Sequence, residues 1–459
     1  MGKKVGISLL VLIITGCLLV SAGLIAGGYF LLKAQKNYTP PTAVVAPTAV
    51  QTSTSSIESQ MDEIQQQVSD LRGLSLKADL QRDLMTPAEL KDKVVNDFFK
   101  DYTDEEVSND TRELTTLGLL PAGFDLRQFY LDLYTEQIAG YYDDETKEMY
   151  VISGEGFGGM ERMTYAHEFN HVLQDQNYDM ENGLKLNDET CEADSEYCAA
   201  VTALIEGDSS LTEQMWFMRH GTNQDRQDLQ DFYSDYSSPV YDSAPEYMKK
   251  DFLFPYQQGL EFVQSLYDQD AWEGVESAYR NLPVSTEQIL HPEKYPGDAP
   301  VKVEVADLTT VLGEGWQEID RNVMGEWYTY LILSSGSSPL FRMDDDRSRT
   351  AAEGWGGDTY LYYTLENASD YFFAWQTSWE TKNDGFEFFD LAVDYGMARW
   401  GIPDSKSDEK VTWTSATDGT IAIYRNGTGV LWLMGSSSNL LDLALPLFSD
   451  FMSGDGLQS

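Results

Sequence analysis

The chain has 459 residues, with 31 Lys+Arg against 76 Asp+Glu, a formal net charge of −45, and 42% hydrophobic and 12% aromatic residues. That length suits two or three domains with substantial cores, and the apolar content excludes a chain that is mostly disordered. The charge argues against nucleic acid as a partner, because a phosphate backbone is bound by a basic surface.

Residues 1–4 are a short tail carrying Lys3 and Lys4, and Val5 to Leu32 then runs apolar without a charge. At about 1.5 Å per residue such a helix exceeds the ~30 Å hydrocarbon core, so the expectation is a transmembrane anchor over 5–32. A cleaved signal has a shorter apolar region. Ile14-Thr15-Gly16-Cys17 resembles a lipobox that would lipidate Cys17, but Leu18 to Leu32 stay apolar where a lipoprotein turns polar. Residues 33–56, rich in Thr, Pro, Ala and Ser, read as a flexible stalk. The expected location is therefore the cell membrane, single-pass, with the folded part outside the cytoplasm. Cys191 and Cys198 permit one disulfide there. In one regular helix their Cα atoms would be too far apart for a bridge, so two buried free thiols are the expectation.

From Ile57 the pattern turns helical: Ile57, Met61, Ile64, Val68 and Leu71 recur at threes and fours. Thr86-Pro87-Ala88-Glu89 reads as a capped start of a second helix running through Phe99, so two helices precede any strand. A hairpin follows, with Ile138–Tyr142 and Met149–Ile152 joined by the polar turn Asp143–Lys147.

Directly after the hairpin stands His167-Glu168-Phe169-Asn170-His171, an H-E-x-x-H pattern in a stretch without Pro or Gly from Met160 through Tyr178. On a helix, positions i and i+4 share a face, so both imidazoles reach one metal ion. Glu168 is rotated by about 100° and is placed to take a proton from water rather than to ligate. Imidazole suits zinc, and zinc lowers the pKa of its water to about 7. The chain has only four His, two of them at this spacing. The bland alternative is a surface helix with two solvated imidazoles. A catalytic zinc needs a third protein ligand, and Glu206 supplies one: it follows the apolar or small run Ala199–Ile205, where an unpaired acid would be costly to bury. Asp208 is either a partner that orients a ligand His or a residue at the helix end.

Ala166–Gln176 together with Ala203–Asp208 resembles the gluzincins, H-E-x-x-H metallopeptidases with a Glu on a later helix. More narrowly the chain is similar to a poorly characterised group of prokaryotic membrane-anchored or exported proteins, whose Ser285–Tyr295 and Gly354–Asp358 blocks it also carries. With gaps, this resemblance runs from about Gln60 to Asp394, and Asn170 departs from the usual pattern at a position that is not a ligand. The resemblance implies a zinc peptidase with His167, His171 and Glu206 as ligands and Glu168 as general base. It also implies that a strand edge beside the zinc, Ala139–Tyr142 or Met149–Ser153, receives an extended peptide.

His291, before Pro292, has two readings: with Tyr295 it stabilises an oxyanion, or it makes a structural hydrogen bond at a turn. His220, before Gly221, reads as a helix cap. After Pro300 strands are expected at Val301–Val305, Thr359–Thr364, Thr420–Tyr424 and Gly429–Met434, with Asn426-Gly427 as a hairpin turn. Helices are expected at Val323–Leu333, Gly385–Met397 and Asn439–Phe448.

The expected fold is α+β: a transmembrane helix, a mainly helical zincin-like catalytic domain with a small sheet over 57–300, and an α+β region over 301–459. The expected function is a membrane-anchored, zinc-dependent peptidase with peptide or protein as substrate and no nucleic-acid partner. The alternatives are a surface binding or adhesion protein that keeps the fold without turnover, and a metal-dependent hydrolase of other amides.

Overall fold

The computed structural model describes residues 56–451, apart from 94, 97–98, 100–101, 154–155 and 366–369. The expected membrane anchor at 5–32 lies outside the described residues, as does all of the stalk but Ser56. Ser56 caps α1 (Ile57–Arg72), its Oγ accepting from the Ser59 N–H at 3.2 Å, and Gly73 ends the helix at φ 75°. Met61, Ile64, Val68 and Leu71 are buried along one face of it. A strand, β1 (Gln81–Met85), comes next and overturns the expectation of two helices before any strand. Helix α2 (Pro87–Lys93) starts at the expected Pro87, with Glu89 Oε2 accepting from the Thr86 N–H at 2.8 Å, and stops short of Phe99. Helices α3 (Asp104–Thr116) and α4 (Leu126–Gln137) lead to the hairpin β2 (Gly140–Asp143) and β3 (Glu148–Ile152). β1 pairs in parallel with β3, so the order is β1-β3-β2 and β3 is central.

Helix α5 (Gly159–Tyr178), which carries His167, Glu168 and His171, lies on this sheet. Its Tyr165, Phe169, Val172 and Leu173 share a core with Met61, Ile64 and Val68 of α1, Met149 and Val151 of β3, and Trp216. Burying each of these large apolar side chains contributes roughly 1.5–3 kcal/mol. After α5 come α6 (Asp188–Ala193), α7 (Ser195–His220), α8 (Asn223–Asp235) and the long α9 (Glu246–Arg280), which is broken by non-helical backbone at Asp270 and Ala271. α7 and α9 touch backbone to backbone. A Cβ on Gly207 would fall 2.2 Å from Gly259 O, and one on Gly259 would fall 2.1 Å from Ala203 O.

Cys191 and Cys198 are bridged, with Cα atoms 5.6 Å apart, and the free-thiol expectation is corrected. The helix does not run through them: Asp194, at φ −154° and ψ 86°, ends α6 and caps α7, its Oδ1 accepting from the Tyr197 N–H at 3.0 Å. That break shortens a distance that a continuous helix would hold too long.

Beyond α10 (Thr286–Leu290) the chain builds an antiparallel sheet. It comprises β4 (Trp316–Asn322), β5 (Trp355–Leu365), β6 (Tyr371–Trp379), β7 (Ser405–Lys406), β8 (Lys410–Ser415), β9 (Gly419–Asn426) and β10 (Gly429–Gly435). Its order is β4-β5-β6-β10-β9-β8-β7. Helices α11 (Gly325–Ser334), α12 (Asp345–Ala352) and α13 (Lys382–Trp400) interleave with the strands, and α14 (Ser438–Ala444) follows. The turn at Asn426-Gly427 forms as expected, with Gly427 at φ 62°, whereas Val301–Val305 is not a strand. One apolar core runs from Met85 to Met434, joining α7 and α9 to α11, α13 and the large sheet.

The expectation of a fold led by a transmembrane helix is corrected. The described fold is α+β on a three-stranded and a seven-stranded sheet, and no helix among the described residues is long and apolar enough to cross a membrane.

Candidate metal centre

One turn apart in the middle of α5, His167 and His171 direct their Nε2 atoms at the same carboxylate oxygen. Glu206 Oε2, from α7, lies 3.2 Å from His167 Nε2 and 3.3 Å from His171 Nε2. Tetrahedral zinc with bonds of about 2.0–2.1 Å holds its ligand atoms about 3.3 Å apart, so the spacing fits that ion. One ligand atom from each residue falls within 4.8 Å of the other two.

The Nδ1 atoms are used elsewhere. His167 Nδ1 is 2.8 Å from Glu213 Oε2, and His171 Nδ1 is 2.8 Å from Gln174 Oε1. Both partners accept, which puts a proton on each Nδ1; Ser209 Oγ also lies 3.2 Å from His171 Nδ1, and each Nε2 faces Glu206, where a cation would replace the proton that His167 Nε2 shares with that carboxylate. Among the described residues, His171 Nε2 and Glu206 Oε1 are buried without a hydrogen-bond partner, a cost that a bound cation would remove. Burial opposes the Glu206 charge, but His171 and His167 outweigh it and hold the pKa down to about 2. Burial likewise works to lower the His167 pKa, yet Glu206 and Glu213 raise it to about 10. The donor set and its field both suit a divalent cation.

Exposure is 0% at His167, Glu168 and His171 and 1% at Glu206, so the site is closed to solvent. One wall is Gly140 of β2, where a Cβ would come 2.7 Å from Thr164 Cγ2 and 3.1 Å from Glu168 Cγ. Another is Tyr256 of α9, with its ring centroid 6.4 Å from that of His167.

The other candidates fall elsewhere. Asp208 lies inside α7 rather than at its end, with its carboxylate on Arg72 at 2.8 and 3.1 Å. His291 Nε2 is 2.9 Å from Glu326 Oε1 on α11, and the Tyr295 hydroxyl donates to Asn281 O at 2.5 Å. The structure therefore brings His167, His171 and Glu206 together and gives His291 a structural partner. His220 is the last residue of α7, before Gly221. The Ser285–Tyr295 block is fastened to the start of α7, and the Gly354–Asp358 block to the start of α11. Thr286 donates from N and Oγ1 to Glu196 Oε1 at 2.5 and 2.7 Å, and Asp358 accepts from the Met324 and Gly325 N–H groups at 3.0 and 2.9 Å. A second acidic group, Glu287, Asp298 and Glu380, already holds a cation: Lys294 Nζ is 2.7 Å from Glu287 and Glu380 and 3.9 Å from Asp298.

Sequence reasoning missed Gln174, Glu213 and Arg72. Gln174 stands three residues after His171, and Glu213 stands seven after Glu206 on the same face of α7, so helical spacing was a usable signal for both. No spacing links Arg72 to Asp208.

Comparison with known proteins adds a single match. Residues 310–444 are similar to a family described as a domain of unknown function, DUF8575. That stretch covers less than half of the chain and contains none of His167, Glu168, His171 and Glu206. No curated protein and no solved structure matches the chain.

Proposed function

We propose that the protein is a zinc-dependent peptidase. The observation that carries this is the convergence of His167 Nε2, His171 Nε2 and Glu206 Oε2, with each Nδ1 held by its own acceptor. Zinc at these ligands supplies a Lewis acid, which polarises a peptide carbonyl and lets water be deprotonated near neutral pH. Glu168, next to a ligand in sequence but on another face of α5, takes the proton from the attacking water and passes it to the leaving amine.

Peptide is the favoured substrate because β2 is an outer strand beside Glu168. The Ile152 N–H bonds to Ala139 O at 2.7 Å, so the alternation of an antiparallel pair turns the backbone of Gly140 and Tyr142 away from β3. An extended peptide adds to such an edge. The central strand β3 has no free edge. The Cys191–Cys198 bridge supports a place outside the cytoplasm.

Complete burial of the four side chains favours a second reading, a binding protein that keeps a peptidase fold without turnover. Elemental analysis and a peptide-library screen on wild type, Glu206→Ala and Glu168→Gln decide between them. The peptidase reading expects one zinc per chain, lost in Glu206→Ala. It also expects Glu168→Gln to keep zinc and fold while losing hydrolysis. A wild type that binds no zinc after reconstitution sinks the metal reading. Zinc without hydrolysis of any peptide moves the second reading to the front.

A further inference from the structure

Resting on the zinc reading, we infer that Arg72, at the end of the N-terminal helix α1, is a positioning residue for the metal ligand His171, acting through Asp208 and Gln174. The Arg72 side chain is fully buried and held from three sides. Its Nε and Nη2 fork onto Asp208 Oδ1 and Oδ2 at 2.8 and 3.1 Å, and its Nη1 donates to Glu276 Oε1 at 2.6 Å. Its guanidinium also lies 4.6 Å from the centroid of the Trp272 ring. A buried ion pair contributes little net stability, since desolvation offsets the attraction. What the fork does supply is direction.

Asp208 Oδ2 also accepts from Gln174 Nε2 at 3.2 Å and from the Tyr279 hydroxyl at 2.8 Å. Gln174 Nε2 donates further to Ile205 O and to the Tyr279 oxygen, both at 2.9 Å. The –NH2 end of this amide therefore faces only acceptors, and a flipped amide would set its oxygen against a carboxylate and a carbonyl. The charge that Arg72 holds in place thus fixes the amide. Gln174 Oε1 is left pointing at His171 Nδ1, 2.8 Å away, and the Ser209 hydroxyl, which donates to Oε1 at 3.3 Å and lies 3.2 Å from Nδ1, shares the contact. An acceptor there requires the proton on Nδ1 and leaves the Nε2 lone pair for the metal. Were the amide free to turn, the opposite tautomer would place a proton where the metal binds. The order is Arg72 to Asp208 to Gln174 to His171, from α1 through α7 to α5, and docking of the first helix completes the metal site.

The test measures the Zn2+ affinity of the full chain by competition with a chromophoric chelator, together with thermal unfolding of the metal-free protein. The variants are Arg72→Lys, which keeps the charge but loses the two-pronged fork, and Val68→Ala, which loosens the same helix without touching the relay. Partners of this kind typically affect metal affinity 10–100-fold. Arg72→Lys should therefore weaken zinc binding by at least tenfold, while Val68→Ala, with a comparable loss of thermal stability, stays within about twofold of wild type. With four histidines in the chain, 15N-His spectra of the metal-free protein supply a second readout. They should show the His171 Nδ1–H form in wild type and a mixture in Arg72→Lys. Equal zinc affinity in wild type and Arg72→Lys, or equal weakening in Val68→Ala, overturns the relay. If Arg72→Lys does not fold, Gln174→Met, which leaves the ion pair intact, carries the same expectation and the same refutation. A wild type without zinc refutes the metal reading itself, a separate outcome.

Discussion

Gly207→Ala sets two opposed effects against each other, and the structure decides the sign. Alanine is the better helix former in a helix interior by about 1 kcal/mol, so propensity alone makes the variant more stable. Its Cβ, however, would lie 2.2 Å from Gly259 O, 2.3 Å from Gly259 C and 2.9 Å from Leu260 N. Ordinary contacts are roughly 3.5 Å or more, so α7 and α9 would have to part by about 1 Å. No side chain is present to turn aside, because every atom met is backbone. Overpacking of this kind costs about 1–3 kcal/mol, and a backbone obstacle places it at the upper end. A net destabilisation of about 2 kcal/mol is expected. Because the substituted position adjoins Glu206, zinc affinity should fall by roughly tenfold, about 1.4 kcal/mol, as well. Urea unfolding followed by far-UV circular dichroism, once with chelator and once with excess zinc, reads both effects from the shift in midpoint at constant slope. A variant as stable as wild type, or more so, would show that helix propensity wins and that the two helices are not in backbone contact.

Three further outcomes follow from burial and pairing. Burial raises the pKa of Asp358 to about 6, and raises that of Glu287 to about 7 despite Lys294. A carboxylate whose folded pKa lies above its unfolded value stabilises the fold at low pH and loses that contribution as pH rises through the folded pKa. Stability should therefore fall between about pH 4 and pH 7, by on the order of 3 kcal/mol from Asp358 alone as the pH passes from its unfolded value of 3.8 to about 6, and urea midpoints that rise over that range would contradict the reasoning. Replacing Cys191 and Cys198 by Ser should lower stability by about 2 kcal/mol, the loop-closure value for so short a loop, and reductant should then leave the variant's unfolding midpoint unchanged. His291→Ala should leave zinc content unchanged and lower the melting temperature by several degrees, because Glu326, 4% exposed, loses its partner. Loss of zinc in that variant would show that His291 supports the metal site and would refute a purely structural role.

The parts of the site that read clearly in the sequence are those set by helical geometry. His167, Glu168 and His171 lie within five residues of one another, and an acid closing an apolar run on a later helix is a local signal as well. The hairpin and the Asn426-Gly427 turn are local in the same way. What escaped depends on contacts distant in sequence. Gln81–Met85 carries a polar sequence and is a strand because β3 pairs with it in parallel. Tyr371–Trp379, apolar almost throughout, lacks the alternation of a half-exposed strand because both faces of its sheet are covered, and only Tyr371, Gln376 and Ser378 are less than buried. The disulfide was misread through one assumption, a continuous helix, which Asp194 breaks by capping the next one. Arg72 and Asp208, 136 residues apart, meet only because α1 packs across α5 and α7.

The closure of the site also has a consequence in time. An ion held by side chains with almost no solvent exposure leaves only as fast as the surrounding walls separate, whatever its equilibrium affinity. A chelator then works at the pace of protein opening rather than of ligand exchange. Minutes of dialysis would make a zinc protein look resistant to stripping, and a briefly reconstituted metal-free sample would look unable to bind. Hours of incubation, or mild denaturant to hasten opening, belong in any metal analysis of this chain. On the peptidase reading proposed above, the same opening would set a ceiling on how fast an extended peptide is admitted and its fragments released.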